Sequence, residues 1–336
     1  METFMKKKKI IFSFDYELFF GERSGTVQKT LIDPTNLLLD TMESVGAKGN
    51  FFIDYLMFER LEQLDDERAK SDLRKVQDQV KDMVRRGHRI ELHLHSHWID
   101  AKYNGDGTWD YSDYTHYSLY SLTPEQRKRM FKEGTAYLNE LAREVDPNYK
   151  ICAFRAGGWT IQPFDELKDC FKDNGIIIDS SVMFGACRDN KYSKYDFRTA
   201  PNKETYKFTD DVCKEVCLGD FIEVPISVYN KTFFMKIVDK IARLFVKEDK
   251  CITDGTHLRY DLPIVNKKIG LFEPRRAPYS LTGLIPCVFS LMYLLDKREL
   301  ITIIDHPKDF KMSALKVVKF CMKKAMTTTY FEILNN

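Results

Sequence analysis

Long apolar runs, paired cysteines and an excess of one charge are all missing from this 336-residue chain, and each absence removes a class of protein. Lys and Arg number 52 against 50 Asp and Glu, a net charge of +2, so there is no basic stripe to displace counterions from phosphates and no nucleic-acid partner is expected. The eight cysteines are scattered. Only Cys213 and Cys217 lie close together, and no second pair completes a zinc site, so they read as ordinary reduced thiols of a cytoplasmic protein. The basic run Lys6 to Lys9 precedes Ile10-Ile11-Phe12-Ser13-Phe14, but Asp15 and Glu17 end the apolar stretch too soon for a signal-peptide core. It reads as a solvated lead-in to a first strand. Ala277 to Leu295 carries no charge, yet Pro278, Ser280, Thr282, Gly283, Pro286 and Ser290 dilute it. A buried helix entered through a proline-rich loop is expected there rather than a membrane span, with room for loose membrane association. No repeat at a fixed period is present, and 43% hydrophobic with 30% charged residues excludes disorder.

What is present is an alternation of short β-type runs and longer helical patterns. The strand candidates are Lys9 to Phe14, Gly49 to Ile53, Arg89 to Leu94, Ile151 to Phe154, Ile176 to Ile178, Phe221 to Ile226 and Leu300 to Ile304. Asp33-Pro34 opens a helix with aspartate as N-cap, and Thr123-Pro124-Glu125-Gln126 opens another with a capping box. Seven strands in simple alternation indicate an α/β fold, an incomplete (β/α) barrel in a single domain spanning 1–336. Two stretches interrupt the rhythm, at about 99–122 and 184–220, and both exceed a simple connection. The first is dense in aromatics: Trp98 just before it, then Tyr103, Trp109, Tyr111, Tyr114, Tyr117 and Tyr120. Such rings either stack on sugar faces or pin the loop to the barrel rim.

In parallel barrels, reactive groups gather at the C-terminal ends of strands. The unusual polar residues here fall at those ends: Asp15 and Glu17 after the first strand, His93 to His97 at the third, Arg155 after the fourth, Asp179 after the fifth and His306 after the seventh. His88, His116 and His257 read as hydrogen-bonded structural residues. In Glu91-Leu92-His93-Leu94-His95-Ser96-His97, His93 and His97 converge on one ion if the chain turns after Leu94. Two histidines and one carboxylate form a three-ligand set that leaves positions open for water, and the second carboxylate is then left to act as a base.

Taken in order, these segments resemble the polysaccharide deacetylases of carbohydrate esterase family four, the NodB-homology group, from Ile10 to about Phe310. Phe12-Ser13-Phe14-Asp15 resembles the first motif, Gly49 to Ile53 the second strand, and Gly87 to His97 the histidine motif. Phe154-Arg155-Ala156-Gly157-Gly158 resembles the arginine motif, Asp179-Ser180-Ser181 the aspartate motif, and Ile304-Asp305-His306-Pro307 the terminal histidine motif. The resemblance implies a distorted (β/α)7 barrel and removal of N-acetyl groups from an amino sugar or polysaccharide intermediate. It also implies a divalent metal ion, zinc first, with cobalt, nickel, iron or manganese as alternatives. Carried over, it makes His93 and His97 metal ligands, Asp15 the base, Arg155 its orienting partner, His306 the acid and Asp179 the residue that tunes His306. The family commonly has adjacent aspartates in its first motif. Here Tyr16 follows Asp15, and Glu17 is taken as the substitute ligand. The expected partner is an N-acetylated sugar, nucleotide- or lipid-linked, in surface polysaccharide biosynthesis in the cytoplasm. The alternatives are hydrolysis of another C–N bond on the same barrel, or a degenerate sugar-binding barrel.

Overall fold

The structure is a computed structural model that describes residues 8–245, 249–257 and 275–335. Lys6 and Lys7 of the basic run lie outside them. All seven expected strands form: β1 (Lys8–Tyr16), β2 (Gly49–Asp54), β3 (Arg89–Leu94), β4 (Ala153–Ala156), β5 (Ile178–Asp179), β6 (Phe221–Glu223) and β7 (Leu300–Asp305). They are mutually parallel in the order β6-β5-β4-β3-β2-β1-β7, so chain order is also spatial order and β7 returns beside β1. Between β6 and β7 no ladder is found among the described residues. Single backbone bonds cross there instead: Ser227 donates to Thr302 at 3.0 Å, Tyr279 to Ser227 at 2.8 Å and Ile304 to Tyr279 at 3.0 Å. The fold is a distorted (β/α)7 barrel. β6 is shorter than its apolar run: beyond Glu223 the pairing continues only as an isolated parallel bridge between Ile226 and Met183, with the Ile226 N–H donating to the Val182 carbonyl at 2.9 Å.

Strand alternation decides what fills the barrel, because residues two apart share a face. Ile11, Phe52, Ala153, Ile178, Val224 and Leu300 form an apolar layer inside it with Tyr330, a residue of the C-terminal helix. Further along the same faces stand Ser13 and Asp15 on β1, Asp54 on β2, His93 on β3 and Arg155 on β4. Polar residues thus share the faces of the apolar layer and lie nearer the strand ends. A second, larger apolar cluster joins strand residues such as Phe12, Phe14, Phe51 and Leu92 to the helices.

Local signals explain the helices that place these strands. Thr123 and Gln126 form the expected capping box, with Thr123 Oγ1 accepting from the Gln126 N–H at 3.2 Å and Gln126 Oε1 from the Thr123 N–H at 2.9 Å. Asp33 is not an N-cap. The helical turn begins earlier, at Val27, capped by Thr26, and runs into the helix Asp33–Ser44; Asp33 instead accepts from Gln28 and Lys29.

The 99–122 stretch carries a short strand pair, Lys102–Tyr103 with Trp109–Asp110. Trp98, Trp109 and Tyr111 are buried and meet edge to face at about 5 Å, so these three rings pin the loop. The 184–220 stretch carries the hairpin Cys187–Asp189 with Lys194–Asp196, and Tyr206–Phe208, which adds antiparallel to β6. All eight cysteines are free. The 277–295 segment supplies the end of a short strand, Arg275–Pro278, and a ten-residue helix, Pro286–Leu295. No helix of the described residues is long and apolar enough to cross a membrane. That helix is only half buried, since Leu291, Leu294 and Leu295 face outward.

Candidate active site and metal centre

The first strand's alternation carries Asp15 and Glu17 to the barrel mouth, both 3% exposed. A buried carboxylate needs a compensating partner. For Asp15 it is Arg155, whose Nη1 donates to Asp15 Oδ1 at 2.6 Å. The guanidinium is completely buried and also donates from Nε to the Ser180 carbonyl (2.8 Å) and from Nη2 towards Ser13 Oγ (2.9 Å), Ser180 Oγ (3.0 Å) and Tyr330 OH (3.2 Å). Its face lies 4.2 Å from the Phe52 ring centroid. Burial would raise the Asp15 pKa, but Arg155 and the neighbouring histidines hold it well below the carboxylate range.

Glu17 collects three partners. Its Oε2 lies 2.8 Å from His95 Nε2 and 3.1 Å from His93 Nε2, and its Oε1 accepts from Lys308 Nζ at 2.6 Å. Against burial, Lys308 and the two histidines keep it ionised. His93 Nδ1–H donates to the Arg155 carbonyl at 2.7 Å, which fixes the ring and aims Nε2 at Glu17. Burial disfavours the charged imidazole, yet Glu17 and Asp15 raise His93 to about 9. One ligand atom from each of Glu17, His93 and His95 lies within 4.8 Å of the others, all three residues being buried. Two imidazoles and a carboxylate, one imidazole oriented by a backbone carbonyl, form a donor set that suits zinc or a similar divalent ion. Lys308, buried and bonded to Glu17, is opposed to a second cation.

His97 is not part of this group. The turn expected after Leu94 begins only at Ser96, so strand alternation carries His95 to the face of His93 and the chain turns away before His97. The His97 ring sits among Phe20, Tyr111, Tyr114 and Tyr117 at 4.9–5.4 Å, with Nε2 donating to the Tyr111 carbonyl at 3.3 Å. Burial pushes it down to about 4, so it is neutral. Asp54 was not singled out from sequence. It ends β2, accepts from the His95 N–H at 3.2 Å and from Trp98 Nε1 at 2.6 Å, and burial pushes it up to about 6. It holds the turn that presents His95.

His306 follows β7 into the same mouth. Its Nε2 stands 3.5 Å from Asp15 Oδ2 and 3.6 Å from Glu17 Oε1, and about a quarter of the side chain, 26%, is exposed. Burial lowers its pKa, but the Asp15 carboxylate outweighs that and raises it. Asp179 does not meet it. Its carboxylate turns back onto Ser181, accepting from Oγ at 2.8 Å and N–H at 3.0 Å. Adjacent register on β5 and β6 puts Asp179 opposite Glu223, two strands from β7. The place beside His306 Nδ1 is taken by Asp309, at 3.8 Å, which is bonded to His257 Nε2 at 2.6 Å. His88 and His116 are structural as expected: His88 Nδ1 accepts from the Gly49 N–H at 2.9 Å, and His116 pairs with Asp100 at 2.8 Å.

No family model and no curated protein matches the chain. Solved structures similar to it are polysaccharide deacetylases and a pseudoenzyme of their family. A Mycobacterium smegmatis protein assigned to the polysaccharide deacetylases is 14% identical, with a TM-score of 0.45, covering 100% of this chain and 92% of the other. A family 4 carbohydrate esterase from Streptomyces lividans, solved with acetate, is 8% identical with a TM-score of 0.40, covering 94% and 87%. A family 4 pseudoenzyme from Bacillus anthracis is 11% identical with a TM-score of 0.40, covering 98% and 66%.

Proposed function

We propose that this chain is a metal-dependent hydrolase that removes N-acetyl groups from an amino sugar or polysaccharide intermediate in surface polysaccharide biosynthesis. The observation that carries the reading is His306 Nε2 standing between the two carboxylates, 3.5 Å from Asp15 and 3.6 Å from Glu17, beside a Glu17-His93-His95 ligand set. A divalent ion held by that set would supply an activated water and an electrophile for the acetamide carbonyl. The chain's own groups do the rest. Asp15, kept ionised and aimed by Arg155, takes the proton as water attacks the acetyl carbon. As the C–N bond breaks, protonated His306 gives its proton to the departing amine. Tyr114 and Tyr117, half-buried beside His97 and, for Tyr117, His95, offer ring faces for a sugar. We further place this work in the cytoplasm, on a nucleotide- or lipid-linked intermediate, with zinc as the first choice of ion.

The test is acetate release from N-acetylhexosamine compounds by the metal-loaded chain, with His306→Ala and Asp15→Asn beside it. Acetate from wild type and a loss of roughly two to four powers of ten in each variant supports the reading. Near-normal turnover in either variant contradicts it. A second reading, a sugar-binding barrel without catalysis, is favoured by Lys308, whose ammonium sits 2.6 Å from the ligand carboxylate where a metal would also bind. Sugar binding with no metal uptake and no acetate selects that reading.

A further inference from the structure

The helix Phe233–Phe245 turns an apolar stripe outward. Phe234, Ile237, Ile241 and Leu244 recur at spacings of three and four, on one side of the helix, and are 68%, 41%, 50% and 78% exposed. Its other side packs inward through Met235, Val238 and Ala242. The helix lies against Pro286–Leu295, which adds Leu291, Leu294 and Leu295, the last two 58% and 65% exposed. Of the fourteen large apolar side chains exposed among the described residues, eight are on these two helices. An exposed apolar patch of this kind marks a contact surface.

The neighbouring helix, Met312–Lys324, indicates the occupant. It packs on Pro286–Leu295, with the Phe320 ring 5.8 Å from Tyr293. It contains no acidic residue, and Lys316, Lys319, Lys323 and Lys324 are all exposed. Among the described residues none of the four pairs with a carboxylate, whereas all three lysines of helix Glu67–Arg85, themselves half-buried, do. Lys240 is exposed on the stripe's own helix. Apolar side chains flanked by unneutralised lysines match the acyl boundary and the anionic headgroups of a lipid surface. A second copy of this face would set the lysine cluster against itself.

We propose that these three helices dock the protein on an anionic membrane surface, the apolar stripe entering the headgroup layer and the lysines contacting lipid phosphates. The surface is connected with the candidate site. The segment 249–257, close after the Phe233–Phe245 helix in sequence, runs along the mouth, where Ile252 N–H donates to the Phe310 carbonyl and His257 bonds Asp309 beside His306. A docked molecule therefore has its mouth segment close in sequence to its lipid-facing helix. The proposal does not depend on the deacetylase reading, because it is tested by binding alone.

The experiment is co-sedimentation of the full chain with phosphatidylglycerol/phosphatidylcholine vesicles and with pure phosphatidylcholine vesicles, with sedimentation-velocity analysis of the lipid-free protein. Binding is expected to be at least tenfold stronger on the anionic vesicles and to weaken in high salt. Each reversed lysine in Lys319→Glu/Lys323→Glu should lower partition roughly fivefold or more. Phe234→Ser/Leu244→Ser, at exposed positions where folding is undisturbed, should abolish the salt-resistant remainder. Equal binding to both vesicle types, or no change in either variant, overturns the proposal. So does a dimer in solution that Phe234→Ser/Leu244→Ser dissolves.

Discussion

Two buried pairs of strand-end residues, Asp15 with Arg155 and Asp179 with Glu223, sit at the same mouth of the barrel, and their carboxyls take opposite charge states. On the β1–β4 side, Asp15 faces a completely buried guanidinium and is held ionised. On the β5–β6 side, Asp179 faces Glu223 with no cation bonded to either among the described residues; burial pushes both upward, and Asp179 pushes Glu223 further still. Depth is equal, so the partner decides the charge. A carboxylate kept ionised is equipped to take a proton, whereas a pair pushed towards its protonated forms serves as an uncharged clasp between two strand ends.

The largest effect that breaks this contrast is on turnover. Asp15→Asn keeps the hydrogen-bonding shape but removes the ionised carboxylate proposed as the base, and should lower acetate release by roughly two to four powers of ten, read from initial rates. Asp179→Asn should leave the rate within a few-fold of wild type. An equal fall in both variants would erase the distinction between base and clasp.

Next comes stability. Arg155→Met strands the Asp15 charge in the barrel and should cost about 3–5 kcal/mol in urea unfolding. Asp179→Asn retains acceptors for Ser181 and should cost less than about 1 kcal/mol. Lys308→Met tests the remaining carboxylate: it removes the cation on Glu17 and should tighten zinc binding by roughly tenfold or more in a competition titration. Weaker binding would show that the lysine supports the site.

The smallest effect is on pH dependence. Both members of the Asp179–Glu223 pair have folded pKa values above their unfolded ones. Their contribution is therefore complete below the unfolded values near about 4 and is lost as pH rises towards the folded values. Glu223→Gln should flatten that part of the stability curve, read from unfolding midpoints at successive pH. An unchanged slope would mean that the pair is not pushed towards its protonated forms.

The same contrast explains what could be read in the sequence. All seven strands were legible because each is a short apolar run, and Asp15, Glu17, His93, Arg155 and His306 were legible because they stand where those runs stop. Residues whose role depends on a neighbouring strand were not. The Asp179 partner is fixed by the β5–β6 register, which puts Glu223 opposite it. Lys308 and Tyr330 reach Glu17 and Arg155 from parts of the chain some 291 and 175 residues away. The choice between His95 and His97 turned on where the chain leaves the strand. A turn after Leu94 favours His97, but the strand alternation persists one residue further, and Asp54 fastens the His95 N–H so that the turn starts at Ser96. Nothing in the spacing of three alternate histidines marks that point.

The ligand set is the centre of the account, and metal analysis tests it most directly. Wild type, Glu17→Ala, His95→Ala and His97→Ala would be purified, loaded with zinc and dialysed together. The account predicts about one ion per chain in wild type and His97→Ala, and loss of the ion in Glu17→Ala and His95→Ala. Retention of zinc by His95→Ala with loss from His97→Ala, or a wild type that takes up none, would contradict it.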